Sequence, residues 1–390
     1  VSIWHRTPLA WFNLTAERRR FLTAMGGVSF AVVLMFLFSG FKNGLYDSQV
    51  QLHTVLNGDV FVINRIKQNM FVPEQFARNR LYEAQAFTGV EAAYPLYIEA
   101  TGSWKNPETG KSRTLRVLAF NLNDPVLMLP EILEQRDELQ LPETASIDTR
   151  VRAEVGPAEA GIETELSDRR IRTVGTFTLG TDFAAGNGNL VMSDQNFLRY
   201  FANRGPEKDT RSLSTVDVGL LKVTPGTNLS ALVKALREGL PNDVTILTRE
   251  EFIAREIEYW QTNTSIGFVF SLLTAMAFAV GIILVYQILY TDIADHWAEY
   301  ATLKAMGYTN LYLLGVVFQE AVLLSFLGYV PGFIASLGLY SLTANATGLL
   351  VTMNLERATG MAIATFIMCL ISGAIAVRKV LATNPAEVFG

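Results

Sequence analysis

The sequence predicts a membrane α-helical protein with four transmembrane helices and a large α+β extracytoplasmic domain between the first and the second. Three observations predict it. Half of the 390 residues are hydrophobic, only 18% are charged, and mean hydropathy is +0.25. That is too apolar for an ordinary soluble enzyme and too charged for a chain lying wholly within a bilayer. Four apolar stretches are long enough to span a hydrocarbon core, and the long segment between the first two alternates short strand and helix patterns. The same composition excludes other classes. With 32 basic against 37 acidic residues, bulk charge offers nothing to nucleic acid. The single cysteine, Cys369, forbids an internal disulfide, and with only three scattered histidines (His5, His53, His296) a zinc site is not expected.

Residues 1–20 read as a cytoplasmic amphipathic segment that ends in Arg18-Arg19-Arg20. The first span, 21–42, carries no charge from Phe21 to Phe41 and as a helix covers about 31 Å, one hydrocarbon thickness. It lacks a small-x-small cleavage site, so it reads as an anchor rather than a signal peptide. Residues 43–262 form the expected outer domain. Within it Asp59–Asn64 reads as a buried strand, Pro73–Ala86 as a helix, and Leu96–Trp104 with Thr114–Phe120 as a hairpin. Strands follow at Arg169–Leu179, Asn189–Met192, Val216–Val223 and Val244–Leu247. Helices are expected at Ser193–Phe201, with a serine N-cap, at Leu229–Leu240, and from Arg249 to Trp260. The acidic, Pro/Glu-rich stretch 123–165 reads as a loop-rich insertion.

The second span is placed at 263–290 and a short cytoplasmic segment at 291–310. The third span, 311–346, would reach about 54 Å as one helix. It is therefore expected to break near its outer end at Pro331, which removes a backbone hydrogen bond. A loop at 347–357, a fourth span at 358–378 and a tail at 379–390 complete the chain. Arg18–Arg20 before the first span and Arg378-Lys379 after the last put both termini in the cytoplasm, which requires an even number of spans.

No catalytic constellation stands out. Gly110-Lys111-Ser112 imitates the end of a phosphate loop, but Lys105 stands where the pattern needs glycine, so a turn is expected. Glu320, about ten residues into the third span, is costly at that depth and should face protein, water or the inner interface. Ala24, Gly27, Ala31 and Leu34 give the first span a small-residue face, a candidate dimer contact, and Gly40 with Gly44 makes a Gly-x-x-x-Gly pair. The strongest signal is Asp292–Gly307. It reads as a short helix on the inner membrane surface, with Asp295, Glu299 and Thr302 on one face, Lys304 in its last turn and Gly307 as a natural stop.

That segment resembles the cytoplasmic coupling helix of the MacB/FtsX/Lol-type ABC permeases. Glu299-Tyr300-Ala301-Thr302-Leu303-Lys304-Ala305-Met306-Gly307 follows the family pattern, with His296 where an arginine is usual. Phe318-Gln319-Glu320-Ala321 and Asn384-Pro385-Ala386-Glu387-Val388 agree as well. The DevC-type members, known from cyanobacteria, are similar over nearly the whole chain, at Pro8-Leu9-Ala10-Trp11, Gly40-Phe41, Leu179–Phe183 and Gly328–Gly332 among other places.

The resemblance implies an inner-membrane homodimer without a cofactor of its own. ATP and magnesium would be bound by two copies of a separate cytoplasmic ABC ATPase. A periplasmic membrane-fusion adaptor, a TolC-like outer-membrane channel and membrane lipid would be the other partners, and the cargo a lipid or glycolipid. Asp295, His296, Glu299, Tyr300, Lys304 and Gly307 would couple to the ATPase. The chain would not be an enzyme. The alternative it leaves open is an FtsX-like regulator of a periplasmic cell-wall enzyme, with no transported cargo.

Overall fold

The computed structural model describes residue 11 and residues 18–70, 72–182, 185–202, 211–347 and 351–381. Most of the N-terminal segment and the Asn384–Val388 motif lie outside the described residues. The chain forms two compact units. A helical unit comprises 1–43, 266–344 and 351–390, and a sheet unit comprises 44–265 with 345–350.

In chain order the helices are α1 (Arg18–Val55), α2 (Asn79–Gln85), α3 (Pro130–Glu134), α4 (Arg136–Leu139), α5 (Asp194–Phe201), α6 (Leu229–Gly239), α7 (Arg249–Asn263), α8 (Ile266–Asp295), α9 (Trp297–Ala305), α10 (Asn310–Thr347) and α11 (Leu355–Leu381). The strands are β1 (Val60–Asn64), β2 (Phe76–Ala77), β3 (Val90–Lys105), β4 (Ser112–Phe120), β5 (Thr144–Asp148), β6 (Glu163–Leu166), β7 (Arg169–Phe177), β8 (Asn189–Ser193), β9 (Thr215–Val216), β10 (Val218–Val223) and β11 (Val244–Thr248).

Nine strands make one mixed sheet in the order β11-β1-β10-β3-β4-β8-β5-β7-β6. β3 joins its two parts: Val90–Leu96 pairs with β10 and Tyr97–Lys105 with β4. Side chains alternate between two cores. Val60, Val62, Tyr97, Val117, Ala119, Leu190 and Met192 enter one. Phe61, Ile63, Leu96, Ile98, Leu118, Phe120 and Val191 enter the other. Both faces are covered, so the central strands read as continuous apolar runs rather than as alternation. β1 and β11 pair antiparallel over five positions, from Val60 opposite Thr248 to Asn64 opposite Val244. The first and last strands of the unit are therefore neighbours.

Most expected strands are present. The hairpin is longer than expected and turns at Asn106–Lys111, with Gly110 at φ +69°, so the phosphate-loop imitation is a turn. Ser193 caps α5 by accepting the Asn196 N–H. Four expectations change. Helix 73–86 shrinks to Asn79–Gln85, because Phe76 and Ala77 pair with β9. The stretch 123–165 holds β5, fully buried between β7 and β8, as well as β6. α1 continues to Val55, well past the expected end at 42. α10 continues unbroken through Pro331.

The helical unit explains that last difference. Gly328 and Gly332 are places where a Cβ would collide with Val28 and Val32 of α1, and Ser29 Oγ donates to Gly328 O at 2.9 Å. Further along, Tyr340 O–H donates to Phe36 O at 2.8 Å and fills the space where Gly40 lacks a side chain. Close packing along a full face holds α10 helical across the proline, as small residues at a helix crossing permit. The matched positions rise together in number, so α1 and α10 run in the same direction. Among the described residues four helices (α1, α8, α10, α11) are long and apolar enough to cross a membrane.

The sheet unit holds a buried charge cluster. Arg211 reaches Asp217 at 3.2 Å and Glu99 at 3.3 Å, and Asp217 also accepts the Ile98 N–H at 2.9 Å. Burial pushes the Asp217 carboxyl up from its ordinary 3.8, against the pull of Arg211 and Lys67. Removing Arg211 leaves burial less opposed. The native state then holds a proton that the unfolded chain releases, so stability falls as pH rises from the ordinary value through the raised one. Arg211→Ala is expected to lower the stability of residues 44–265, expressed alone, by about 3–5 kcal/mol. The deficit should be larger in mildly alkaline than in acidic buffer, and paired urea titrations would measure it.

Candidate functional site

The site is built where α8 turns into α9. His296 leaves the helix at φ −91°, ψ 15°, while its N–H still bonds Asp292 O at 3.1 Å. α9 then runs from Trp297 to Ala305. Its C-terminus closes with two bonds of a Schellman cap, Gly307 N–H to Lys304 O and Tyr308 N–H to Leu303 O, both at 3.1 Å. Gly307 takes φ +92°, a conformation that disfavours a side chain. Its reading as the helix stop is therefore met in detail.

α9 has two faces. Tyr300 and Ala301 are buried in the helical core, and Trp297 and Leu303 pack against that core. Glu299 lies on the opposite face with Ala298, Thr302, Ala305 and Met306, all exposed. The spacing is i, i+1, i+4, i+7, i+8, one continuous stripe. Lys304 is half-buried on neither face. The expected grouping of Asp295 with Glu299 and Thr302 is only partly kept, because the break at His296 ends α8 at Asp295. Asp295 instead pairs with Arg20 of α1 at 2.5 Å, an exposed contact that contributes little.

Behind α9 lies a polar knot. Glu320 of α10 is completely buried, and its carboxyl lies beside that of Asp292. His296 Nδ1 lies 3.0 Å from Asp292 O and 3.6 Å from Asp292 Oδ1. α8, the start of α9 and α10 are thus tied together by Asp292, His296 and Glu320. Of the two readings of Glu320, protein-facing is the one the packing supports. Asp292 was not singled out from the sequence. The signal that could have found it is its i, i+4 spacing to His296.

The candidate dimer face is placed differently. Ala24 and Ala31 are buried against the chain's own helices, Gly27 sits against Ile288, and Leu34 packs on the same core. Leu22, Gly26 and Phe30 form the exposed side of α1.

Residues 271–385, which contain this site, match the family model of the FtsX-like permease C-terminal domain. No curated protein matches the chain by sequence. Among solved structures it is similar to the periplasmic region of MacB from Actinobacillus actinomycetemcomitans, at 14% identity and TM-score 0.34. That match covers 52% of this chain and 94% of the other. It is also similar to the extracellular domain of the noncanonic ABC-type transporter YknZ from Gram-positive bacteria, at 10% identity and TM-score 0.33, over 49% of this chain and 99% of that one.

Glu320→Gln keeps a polar side chain beside Asp292, whereas Glu320→Leu leaves the half-buried Asp292 carboxyl facing an apolar side chain. The leucine variant is expected to be the less stable by about 1–3 kcal/mol. Thermal unfolding of the detergent-solubilised chain would measure this, and equal stability of the two would remove the knot.

Proposed function

We propose that this chain is the permease subunit of a MacB-like ABC export complex. ATP hydrolysis by a separate cytoplasmic ATPase moves α9. The membrane helices carry that motion to the sheet domain, and the moving domain drives a lipid or glycolipid out through a periplasmic adaptor and a TolC-like channel. The chain sits in the inner membrane as a homodimer, with both termini cytoplasmic and the sheet domain periplasmic. A second copy would meet the exposed Leu22, Gly26 and Phe30 side of α1 rather than the occupied one.

The observation that carries this reading is α9 itself: a short helix between two candidate spans, anchored by Tyr300 and Ala301, closed by Gly307, and presenting Glu299 amid small side chains. Such a face suits the cleft of a soluble partner, with one carboxylate for a basic or amide group. Supporting the orientation, α1 and α10 run in the same direction, and Arg20 meets Asp295 beside α9. The Arg18–Arg20 cluster therefore lies at the α9 end of the helical unit, the end that the positive-inside tendency assigns to the cytoplasm.

Glu299→Lys tests the role. Losing a partly buried charge contact at an interface costs about 2–5 kcal/mol, so ATPase co-purification should fall at least ~30-fold while membrane insertion is unchanged. Wild-type ATPase binding and export in that variant would reduce α9 to a linker. Intact binding of a cell-wall hydrolase with no exported lipid would favour the regulator instead.

Topology has its own test. Cysteines at the exposed hairpin positions Glu108 and Lys111 should react with a membrane-impermeant reagent from outside. Asn106 is too buried to serve. Protection of both would reverse the orientation.

A further inference from the structure

α1 carries the chain into the sheet unit, and α7 is the last element before it leaves. A helix ends with four carbonyls that have no partner inside it. At the end of α1 three of those carbonyls, and two just beyond the helix, are met from elsewhere. The Arg249 guanidinium, at the first position of α7, donates to His53 O at 3.0 Å and Thr54 O at 3.4 Å. It also reaches Leu56 O at 2.7 Å and Gly58 O at 2.6 Å. Met128 N–H takes Val55 O at 2.8 Å. A cation at a helix C-terminus also complements the helix dipole, and the planar arginine fork, with five N–H donors, can serve several carbonyls at once. Arg249 is itself held in place: it lies over the Phe61 ring at 5.6 Å, and α7 begins in a full capping box, Thr248 with Glu251.

Two turns further along α7 a second tie follows. His53 is fully buried, and its Nε2 lies 3.5 Å from Glu256 Oε2, itself almost fully buried. Phe252 packs against His53 at 4.4 Å and against Phe61 at 4.7 Å. Glu256 in turn accepts the Met70 N–H at 3.0 Å and the Trp260 Nε1–H at 2.8 Å.

We infer that Arg249, seconded by the His53–Glu256 pair, is a positioning residue that locks the end of α1 to the start of α7, so that the helices at the two ends of residues 44–265 move as one rigid joint. The argument is geometric. Arg249 grips backbone, not side chains, so the lock resists sliding or unwinding of the last turn of α1 whatever residues that turn carries. The motion it would pass on is that of the export cycle proposed above, but the joint can be measured without that cycle.

The test uses the full-length chain in nanodiscs, with Cys369→Ser as background and spin labels at the exposed positions Thr54 and Glu250. A control pair sits at Lys111 and Glu165 within the sheet. The wild-type Thr54–Glu250 distance should be single and narrow, and should stay so when the partner ATPase and ATP are added. Arg249→Ala should broaden it at least about twofold, because the fork of charge-assisted bonds is lost. Arg249→Lys and Glu256→Gln should fall between, with the control pair unchanged. An unchanged distribution in Arg249→Ala overturns the inference, and so does a wild-type distribution that splits on adding ATP. Should Arg249→Ala disturb the control pair, Arg249→Lys and Glu256→Gln decide by the same criterion. If the ATPase does not bind at all, the functional reading fails, while the nucleotide-free measurements still judge the joint.

Discussion

The pairing of β1 with β11 is the constraint from which the sheet unit follows. One strand opens the unit and the other closes it, nearly two hundred residues apart in sequence. Closing a loop of that length costs only a few kcal/mol more than closing a short one, because the entropy grows with the logarithm of length. Five positions of antiparallel ladder and two buried faces offset it. Everything between can then be elaborated, including the hairpin, β5 and the charge cluster around Asp217, without moving the places where the chain comes in and goes out. The ladder also puts Arg249, one residue after β11, beside carbonyls that α1 leaves open, so the strand pairing and the helix cap are consequences of one register.

The helical unit solves a different problem. Apolar helices in an apolar medium gain little from burial against each other, so shape and hydrogen bonds must select the partner. α1 and α10 meet through paired small and branched residues, Val28 with Gly328 and Val32 with Gly332. They are pinned by two side-chain bonds to backbone carbonyls, from Ser29 and Tyr340. The same contacts account for Pro331. A proline removes one bond of the helix ladder, but a helix clasped along its length has no freer conformation to escape to.

How much of this was legible in the sequence depended on whether local signals and tertiary demands agreed. Gly307 was legible because a left-handed cap needs glycine and the preceding turn carried Lys304. The buried strands β1, β4 and β8 were legible as apolar runs. β5 was not: Thr144-Ala145-Ser146-Ile147-Asp148 has one large apolar side chain, and it is a strand because β7 and β8 bracket it and its polar groups find partners, as when Ser146 Oγ donates to Gln135. α1 overran its expected end because residues 43–55 carry no proline, and a lone glycine, Gly44, costs a helix too little to end it. Hydropathy marks where a lipid-facing stretch stops, and a helix need not stop with it. At the site, Glu320 was visible as an ionisable residue out of place, but its partner Asp292 was not. A polar residue near a span end is ordinary until the fold shows what it faces.

The division of labour on α9 follows from the same physics. A helix of nine residues is too short to be stable alone, so its conformation must come from what it touches. Tyr300, Ala301 and Trp297 supply that on one side, the His296 break and the Gly307 cap fix both ends, and the Asp292–Glu320 pair ties the adjoining long helices together behind it. The outward stripe is thereby relieved of any structural duty. Ala298, Thr302 and Ala305 are small and present little to hold the fold, and Glu299 projects exposed among them. A carboxylate standing exposed on a rigid, well-anchored face contributes little to folding. Its position is better suited to meeting something outside the chain, and the rigidity behind it is what would allow a push on that face to move the long helices rather than bend the loop.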